Sequence, residues 1–218
     1  MEKKKKIILI SVIAVVIILI VAGIVWYLIG INKNSDTTLY SNETSNINKI
    51  YDTLQTKENF SFKLTLDDNN YMYYAKSNNM AYTDTVYNGK QSKYIIKDGN
   101  SYLVDDETKA SYTYLNNQTK LNMVINQLEE IKKLDYKKGK EKINGKNYYY
   151  EEYSGVTNFA MGDFTKDGQD VKTRIYYDGD EIVYMKTIEG EKQETLKVEI
   201  SYDVNQSLFQ IPENYKKY

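Results

Sequence analysis

Short turns that suit β-hairpins recur along this chain and constrain its fold more than any other feature. Glycine forms the second half of these turn pairs, which are Asn88-Gly89, Asp98-Gly99, Asn144-Gly145, Asp178-Gly179 and Glu189-Gly190. Asn-Gly and Asp-Gly pairs readily adopt the positive φ angles that two-residue hairpin turns require. Between the turns, apolar and polar residues alternate, as they do from Phe60 to Leu66. Because alternation gives each strand one apolar face, the pattern predicts an antiparallel sheet.

Two segments show the period of a helix instead. Ile47 is followed by apolar residues three, four and seven positions later, and a similar stripe runs through residues 119–134. Asn117 or Thr119 is the candidate N-cap of the second helix. Amphipathic helices need an apolar surface to cover, and large twisted sheets tend to curl. We therefore predict an α+β fold in which two or more helices cover a curved antiparallel half-barrel of about 8–11 strands.

The N-terminal part of the chain contains a long apolar run. Residues 7–31 carry no charged side chain and follow four consecutive lysines. At about 1.5 Å per residue, a helix of this length crosses the roughly 30 Å hydrocarbon core of a bilayer. Signal peptides have shorter apolar cores of about 7–15 residues. The run therefore predicts an uncleaved, single-pass transmembrane helix in the cell membrane, with the lysines in the cytoplasm and the C-terminal domain outside it.

These features divide the chain into four parts. Residues 1–6 are expected to be a basic cytoplasmic tail and residues 7–31 the transmembrane helix. Residues 32–45 are rich in Asn, Ser and Thr and predict a flexible stalk. Residues 46–218 then form a single extracytoplasmic domain, a length suited to one hydrophobic core.

The composition restricts the chemistry of the chain. It contains no cysteine and no histidine, so disulfides, thiolate metal sites and Cys–His nucleophiles are excluded. Arg174 is the only arginine, and the residues after the apolar run carry a mild net negative charge, unlike the clustered basic surface that binds nucleic acid. A Ser–Lys pair remains open, but supporting motifs are missing. We expect a protein that is not an enzyme, needs no cofactor and does not bind nucleic acid.

Two further patterns admit a functional interpretation and a simpler one. A weak likeness to a calcium loop involves Asp163, Asp167, Gly168 and Asp170. Its spacing is wrong and its terminal Glu is missing, so a polar surface loop is favoured and no metal is expected. The clustered aromatics that can stack on sugars are Tyr148, Tyr149, Tyr150 and Tyr153. Tyrosines of this kind more often fill the half-buried surface of a sheet.

Three stretches resemble the LolA/LolB-like superfamily of extracytoplasmic lipoprotein and lipid carriers, which includes RseB-like regulators. They are the helix and strand INKIYDTLQTKENFSFKLTL at residues 47–66, the strands around Asp98-Gly99 at residues 94–114, and the ending SLFQIPENY at residues 207–215. The resemblance implies a half-barrel that binds an apolar ligand. Members of this family are normally released or lipid-anchored. The apolar run therefore favours a tethered binder over a shuttle.

The candidate ligand site consists of apolar residues on the first strand and the second helix. These cavity-lining candidates are Phe62, Leu64, Leu121, Val124 and Leu128. The same residues would also form an ordinary sheet–helix core. We therefore expect a membrane-anchored binding protein for a lipid or lipid-modified protein in the bacterial cell envelope. The alternative is a non-enzymatic protein-interaction or envelope-stress signalling domain without a small ligand.

Overall fold

The structure is a computed structural model that describes residues 35–157, 159–161 and 170–218. Its main feature is one sheet of thirteen strands, in the order β1-β8-β9-β10-β11-β12-β2-β3-β4-β5-β6-β7-β13. The first seven strands are β1 (Ser35–Tyr40), β2 (Asn59–Asp67), β3 (Asn70–Ser77), β4 (Met80–Tyr87), β5 (Lys90–Lys97), β6 (Asn100–Asp105) and β7 (Ala110–Tyr114). The remaining six are β8 (Tyr136–Ile143), β9 (Lys146–Ser154), β10 (Val171–Asp178), β11 (Glu181–Glu189), β12 (Lys192–Ser201) and β13 (Lys216–Lys217).

The hairpins predicted from the turn pairs are confirmed. Asn88 and Gly89 have φ angles of 49° and 73°, and Asn144 and Gly145 have φ angles of 49° and 87°. These values match the turn geometry that joins two antiparallel strands directly. Strands that follow one another in sequence pair within two blocks, β2 to β7 and β8 to β12, and β12 pairs with β2 to join the blocks into one sheet.

Two helices lie against one face of this sheet. Helix α1 (Asn46–Thr56) begins at Ser45, whose hydroxyl accepts a hydrogen bond from the amide of Ile47 at 3.1 Å. Helix α2 (Met123–Ile131) buries Val124, Leu128 and Ile131. We call the face that they cover the helix-covered face, and it carries the alternate residues Phe60, Phe62 and Leu64 of β2. The other side is the opposite face.

Helix α2 is shorter than the segment predicted from its apolar stripe. It starts after Asn122, whose side chain makes no capping hydrogen bond. The predicted cap Asn117 instead accepts hydrogen bonds from both the amide and the hydroxyl of Thr119. This local turn satisfies the polar groups of residues 117–119 outside the helix, which explains why the helix begins later.

The segment after β12 packs on the opposite face. Val204, Leu208 and Phe209 form a second apolar cluster with Ala75 and Tyr82. The segment ends in β13, which pairs in parallel with β7. The hydroxyl of Tyr215, just before β13, donates to Asp106 at 2.7 Å. The segment therefore covers part of one face and one edge of the sheet.

The predicted fold class needs correction in its strand number and in its transmembrane helix. The sheet has thirteen strands because β1 and β13, which the sequence pattern did not reveal, extend its two edges. The predicted span, residues 7–31, lies outside the described residues. Within residues 35–157, 159–161 and 170–218, neither helix is long and apolar enough to cross a membrane. The predicted single-pass localisation and membrane partner are therefore not supported by the described part of the chain.

The predicted stalk also differs from the structure. Residues 35–40 form β1, which pairs antiparallel with β8. Residues 42–44 then form a short 3-10 helix that leads directly into α1. β1 is an edge strand, and edge strands tolerate a polar sequence. The composition of this segment therefore resembles that of a linker.

Candidate functional site

The five residues predicted to line a ligand site lie together in the main apolar cluster. Phe62, Leu64, Val124 and Leu128 have no exposed surface, and Leu121 is partly buried at the edge of the cluster. The ring of Phe62 lies 5.5 Å from that of Phe159. The structure thus places the five predicted residues in one apolar layer between the sheet and the helices.

Flexible apolar side chains surround this layer. The partly buried residues packed against it include Met72, Leu121, Met123, Ile125 and Met161. Methionine is unbranched and adapts its shape to irregular neighbours, a property used at surfaces that accept varied apolar partners. The apolar layer therefore continues from a closed centre to a partly exposed rim near the start of α2.

A buried carboxylate fixes the start of α1 to the sheet. Glu151 on β9 is 2% exposed and accepts a hydrogen bond from the amide of Asn46 at 2.8 Å. Its second oxygen accepts hydrogen bonds from the hydroxyls of Ser45, Tyr153 and Tyr177 at 2.8–2.9 Å. A negative charge at a helix N-terminus is favourable, because unpaired amides and the helix dipole point toward it.

The two tyrosines of this group stay protonated at neutral pH. Burial raises the pKa of Tyr153, and the nearby charge of Glu151 raises it further. Burial also raises the pKa of Tyr177 well above its ordinary value. Both hydroxyls therefore remain donors to Glu151, and the group forms a satisfied polar network.

Helix α2 has polar contacts at both of its ends. The hydroxyl of Tyr74 donates to the carbonyl oxygen of Leu121 at 2.6 Å, just before the helix. The ammonium of Lys132, just after the helix, lies 3.8 Å from the centre of the Tyr51 ring on α1. The helix itself contacts the core through its three buried apolar residues. Apolar packing thus holds the middle of α2 on the sheet, and polar contacts lie at its two ends.

The opposite face carries an ionic network that the sequence analysis missed. Arg174 on β10 donates to Glu141 and Glu152, at 2.7 Å in each case. Glu141 also accepts hydrogen bonds from Lys186 at 2.7 Å and from the hydroxyl of Tyr176 at 2.5 Å. The single arginine in the sequence was the one available signal, but its partners lie on other strands and share no local motif with it.

The tyrosines that are clustered in the sequence lie on different sides of the sheet. Tyr150 and Tyr153 are buried on opposite sides of β9, and Tyr149 is 64% exposed. The ring of Tyr148 meets that of Tyr184 edge-on at 5.5 Å. In the weak calcium-loop pattern, Asp163, Asp167 and Gly168 lie outside the described residues. In the part of the chain that is described, no group of three or more acidic residues could hold a metal ion.

Comparisons with known proteins give similarity to solved structures. No protein-family model matches the sequence, and no curated protein is significantly similar to it. The chain is similar to the crystal structure of the Mycobacterium tuberculosis lipoprotein LppX, with 12% identity and a TM-score of 0.39. The match covers 73% of this chain and 95% of the LppX chain. This likeness does not show membership of a family.

Proposed function

We propose that this protein is a non-enzymatic binding protein that holds the apolar chain of a lipid or of a lipid-modified protein. The ligand would lie between α2 and the helix-covered face, against Phe62, Leu64, Leu121, Val124 and Leu128. The observation that carries this proposal is the apolar layer that continues outward to a partly exposed rim beside helix α2.

The difference between the two helices suggests how a ligand would enter. Breaking the contacts of α1 would leave the buried Glu151 and its donors without partners, which is costly. Moving α2 would mainly expose apolar side chains such as Val124 and Leu128. An acyl chain that takes the place of the lost contacts would restore most of that burial. We therefore expect α2 to move while α1 stays on the sheet.

The energetics of an acyl chain are compatible with this route. Each buried methylene contributes about 0.8 kcal/mol, so ten of them supply roughly 8 kcal/mol before the costs of association. Exposing each large apolar side chain of α2 costs about 1.5–3 kcal/mol unless the ligand covers it. A long chain can meet this cost, whereas a short one cannot. Affinity should therefore rise with chain length.

The proposal is tested by replacing Leu128 with tryptophan and measuring fatty-acid uptake and thermal unfolding together. If α2 moves to admit a ligand, Leu128→Trp fills the space and abolishes uptake of a fluorescent fatty acid with little loss of stability. Leu115→Trp is the control, because Leu115 is 73% exposed and lies outside the apolar layer. That variant should bind as the wild type does.

The opposite result would exclude the lipid-binding function. In a permanently closed core, Leu128→Trp overpacks the structure and destabilises it by about 1–3 kcal/mol. Absence of uptake by the wild type together with this destabilisation would contradict the proposal. Mass spectrometry of an organic extract of the purified protein provides a second test, because a bound lipid should copurify.

One observation favours a protein-interaction domain as the second candidate. The central core residues are completely buried, whereas Tyr114 and Leu115 at the end of β7 are 45% and 73% exposed. Tyr112 stacks on Tyr218 at 5.2 Å beside them. A filled core with an exposed apolar patch is typical of a protein-binding surface. If Leu115→Asp abolished binding of a protein partner while the wild type took up no fatty acid, this second function would be favoured.

A further inference from the structure

A partly buried lysine without an acidic partner lies at the rim of the apolar layer. Lys120 lies shortly before α2 and is followed by Leu121, which packs on the edge of the main apolar cluster. The ammonium of Lys120 lies 4.0 Å from the centre of the Tyr94 ring. No carboxylate of the described residues forms an ion pair with this ammonium. Its positive charge is therefore not balanced by an opposite charge in that part of the chain.

The strand register places the ring beneath Lys120 on the helix-covered face. Tyr94 on β5 lies opposite Thr83 on β4, and Thr83 lies opposite Tyr74 on β3. Residues directly opposite each other on neighbouring strands share one face of the sheet. Tyr74 belongs to the main apolar cluster, and Tyr94 packs against that cluster. The ammonium of Lys120 is thus next to the surface that continues the apolar layer outward.

The backbone beside Lys120 is fixed to the sheet. The hydroxyl of Tyr74 donates to the carbonyl oxygen of Leu121 at 2.6 Å. Burial raises the pKa of Tyr74, so its hydroxyl remains a donor at neutral pH. A movement of α2 that leaves this hydrogen bond intact keeps Lys120 at the rim. The lysine therefore has a fixed place at the point where a ligand would enter.

The surroundings of the ammonium leave its charge poorly solvated. Burial lowers the pKa of Lys120, because water is partly excluded from the charged form. The face of the Tyr94 ring offsets part of this cost through a cation–π contact. An ammonium has three N–H donors, and the ring lies on one side of it only. A negatively charged group can therefore bind on another side through charge-assisted hydrogen bonds.

We propose that the ligand of the apolar layer is an anionic lipid whose acidic headgroup binds Lys120. This inference rests on the proposed function, because it takes the apolar layer as the place of the acyl chain. The first carbon atoms of the chain would lie against Leu121 and Met123 at the rim, and its end would lie deeper, against Leu128. A carboxylate and a phosphate both supply the negative oxygen atoms that an ammonium binds.

A second lysine at the other end of α2 provides a matched control. The ammonium of Lys132 lies 3.8 Å from the centre of the Tyr51 ring. Both lysines thus make a cation–π contact beside the same helix. Tyr51 belongs to α1, whereas Tyr94 belongs to the sheet at the rim. The loss of Lys132 should therefore leave the preference for a headgroup unchanged.

The test compares a fatty acid with the neutral alcohol of the same chain length. In isothermal titration calorimetry of the full-length protein at neutral pH, the wild type should bind dodecanoic acid about tenfold more tightly than dodecanol. Lys120→Met keeps an aliphatic side chain but removes the charge, so it should abolish this preference and leave the affinity for dodecanol unchanged. Lys120→Arg and Lys132→Met should both retain the preference.

Two additional measurements complete the test. The thermal unfolding of Lys120→Met should match that of the wild type, since the ammonium has no ionic partner in the described chain to lose. Dodecyl phosphate distinguishes the two possible headgroups. A greater loss of affinity for dodecyl phosphate than for dodecanoic acid in Lys120→Met would identify a phosphate as the headgroup, and the reverse would identify a carboxylate.

The outcomes that would overturn this inference differ from the one that would exclude lipid binding. Equal affinity of the wild type for dodecanoic acid and dodecanol, or an unchanged preference in Lys120→Met, would overturn the headgroup site alone. An equal effect of Lys132→Met would also overturn it, because net charge rather than the place of Lys120 would then set the preference. Binding of neither compound to the wild type would contradict the proposed function and this inference together.

Discussion

Gly139 illustrates how one position without a side chain shapes the opposite face. It lies on β8 across from Tyr150, whose ring contacts the guanidinium of Arg174 at 4.5 Å. A Cβ atom at position 139 would lie 2.3 Å from both Cζ and the hydroxyl oxygen of Tyr150. Glycine is therefore required here for space, since the tyrosine ring occupies the position that a side chain would take.

We expect Gly139→Ala to displace the ring of Tyr150 and to destabilise the protein by about 1–3 kcal/mol. Chemical denaturation measures this change. In a Tyr150→Ala background the space is free, so the same substitution should cost little. An equal cost in both backgrounds would show that Tyr150 is not the reason for glycine.

Glu141 should make the stability of the folded protein depend on pH. Burial alone would raise the pKa of Glu141, but hydrogen bonds from Lys186, Tyr176 and Arg174 outweigh burial and hold the pKa below its usual value. A carboxyl whose pKa is lowered by folding stabilises the folded state above its unfolded pKa of about 4.3. That contribution is lost as the pH falls from there through the lowered pKa.

The difference in unfolding free energy between the wild type and Glu141→Gln should therefore be constant from neutral pH down to about pH 5. It should then shrink as the solution becomes more acid. Urea denaturation at a series of pH values measures this. Glu181→Gln serves as the control, because Glu181 is exposed at the start of β11. A difference that grew with acid would contradict the assigned direction.

Among the secondary-structure elements, α1 depends on a distant part of the chain for its start. Ser45 caps the helix, but the negative charge at its N-terminus comes from Glu151 on β9. Hydrogen bonds to charged groups contribute about 1.5–3 kcal/mol, so Glu151→Gln should destabilise the protein by at least that amount. Hydrogen exchange should show faster opening of α1 than of β11. Unchanged protection of α1 would mean that Ser45 alone fixes the helix.

The elements also show what a sequence pattern can and cannot predict. The turns Asn88-Gly89 and Glu189-Gly190 lie where the sequence predicts them, at the ends of β4 and β11. Strands β1 and β13 were not predicted, since each is stabilised by pairing with a strand remote in sequence. The start of α2 was placed too early because the Asn117 turn competes with the helix. The predicted site residues do lie in one layer. The Arg174 network joins residues of different strands, so no local sequence pattern indicates it.

At the scale of the whole molecule, the sheet should not be equally stable throughout. Central strands such as β2 and β12 are paired on both sides and lie under the apolar layer. Strands β1 and β13 are each paired on one side only in the sheet. Native-state hydrogen exchange should therefore show the strongest protection in the central strands and the weakest at the two edges. Uniform protection would indicate a single cooperative unit.

The pairing of β12 with β2 has a consequence for the synthesis of the chain. Phe62 on β2 lies opposite Ile200 on β12, so the middle of the sheet joins two segments that are far apart in sequence. During translation, the apolar face of β2 emerges long before this neighbour exists. Contacts of such long range form slowly, because much of the chain must first be brought together. A ribosome-bound chain that stops before β12 should therefore expose Phe62 and Leu64 and require protection from chaperones.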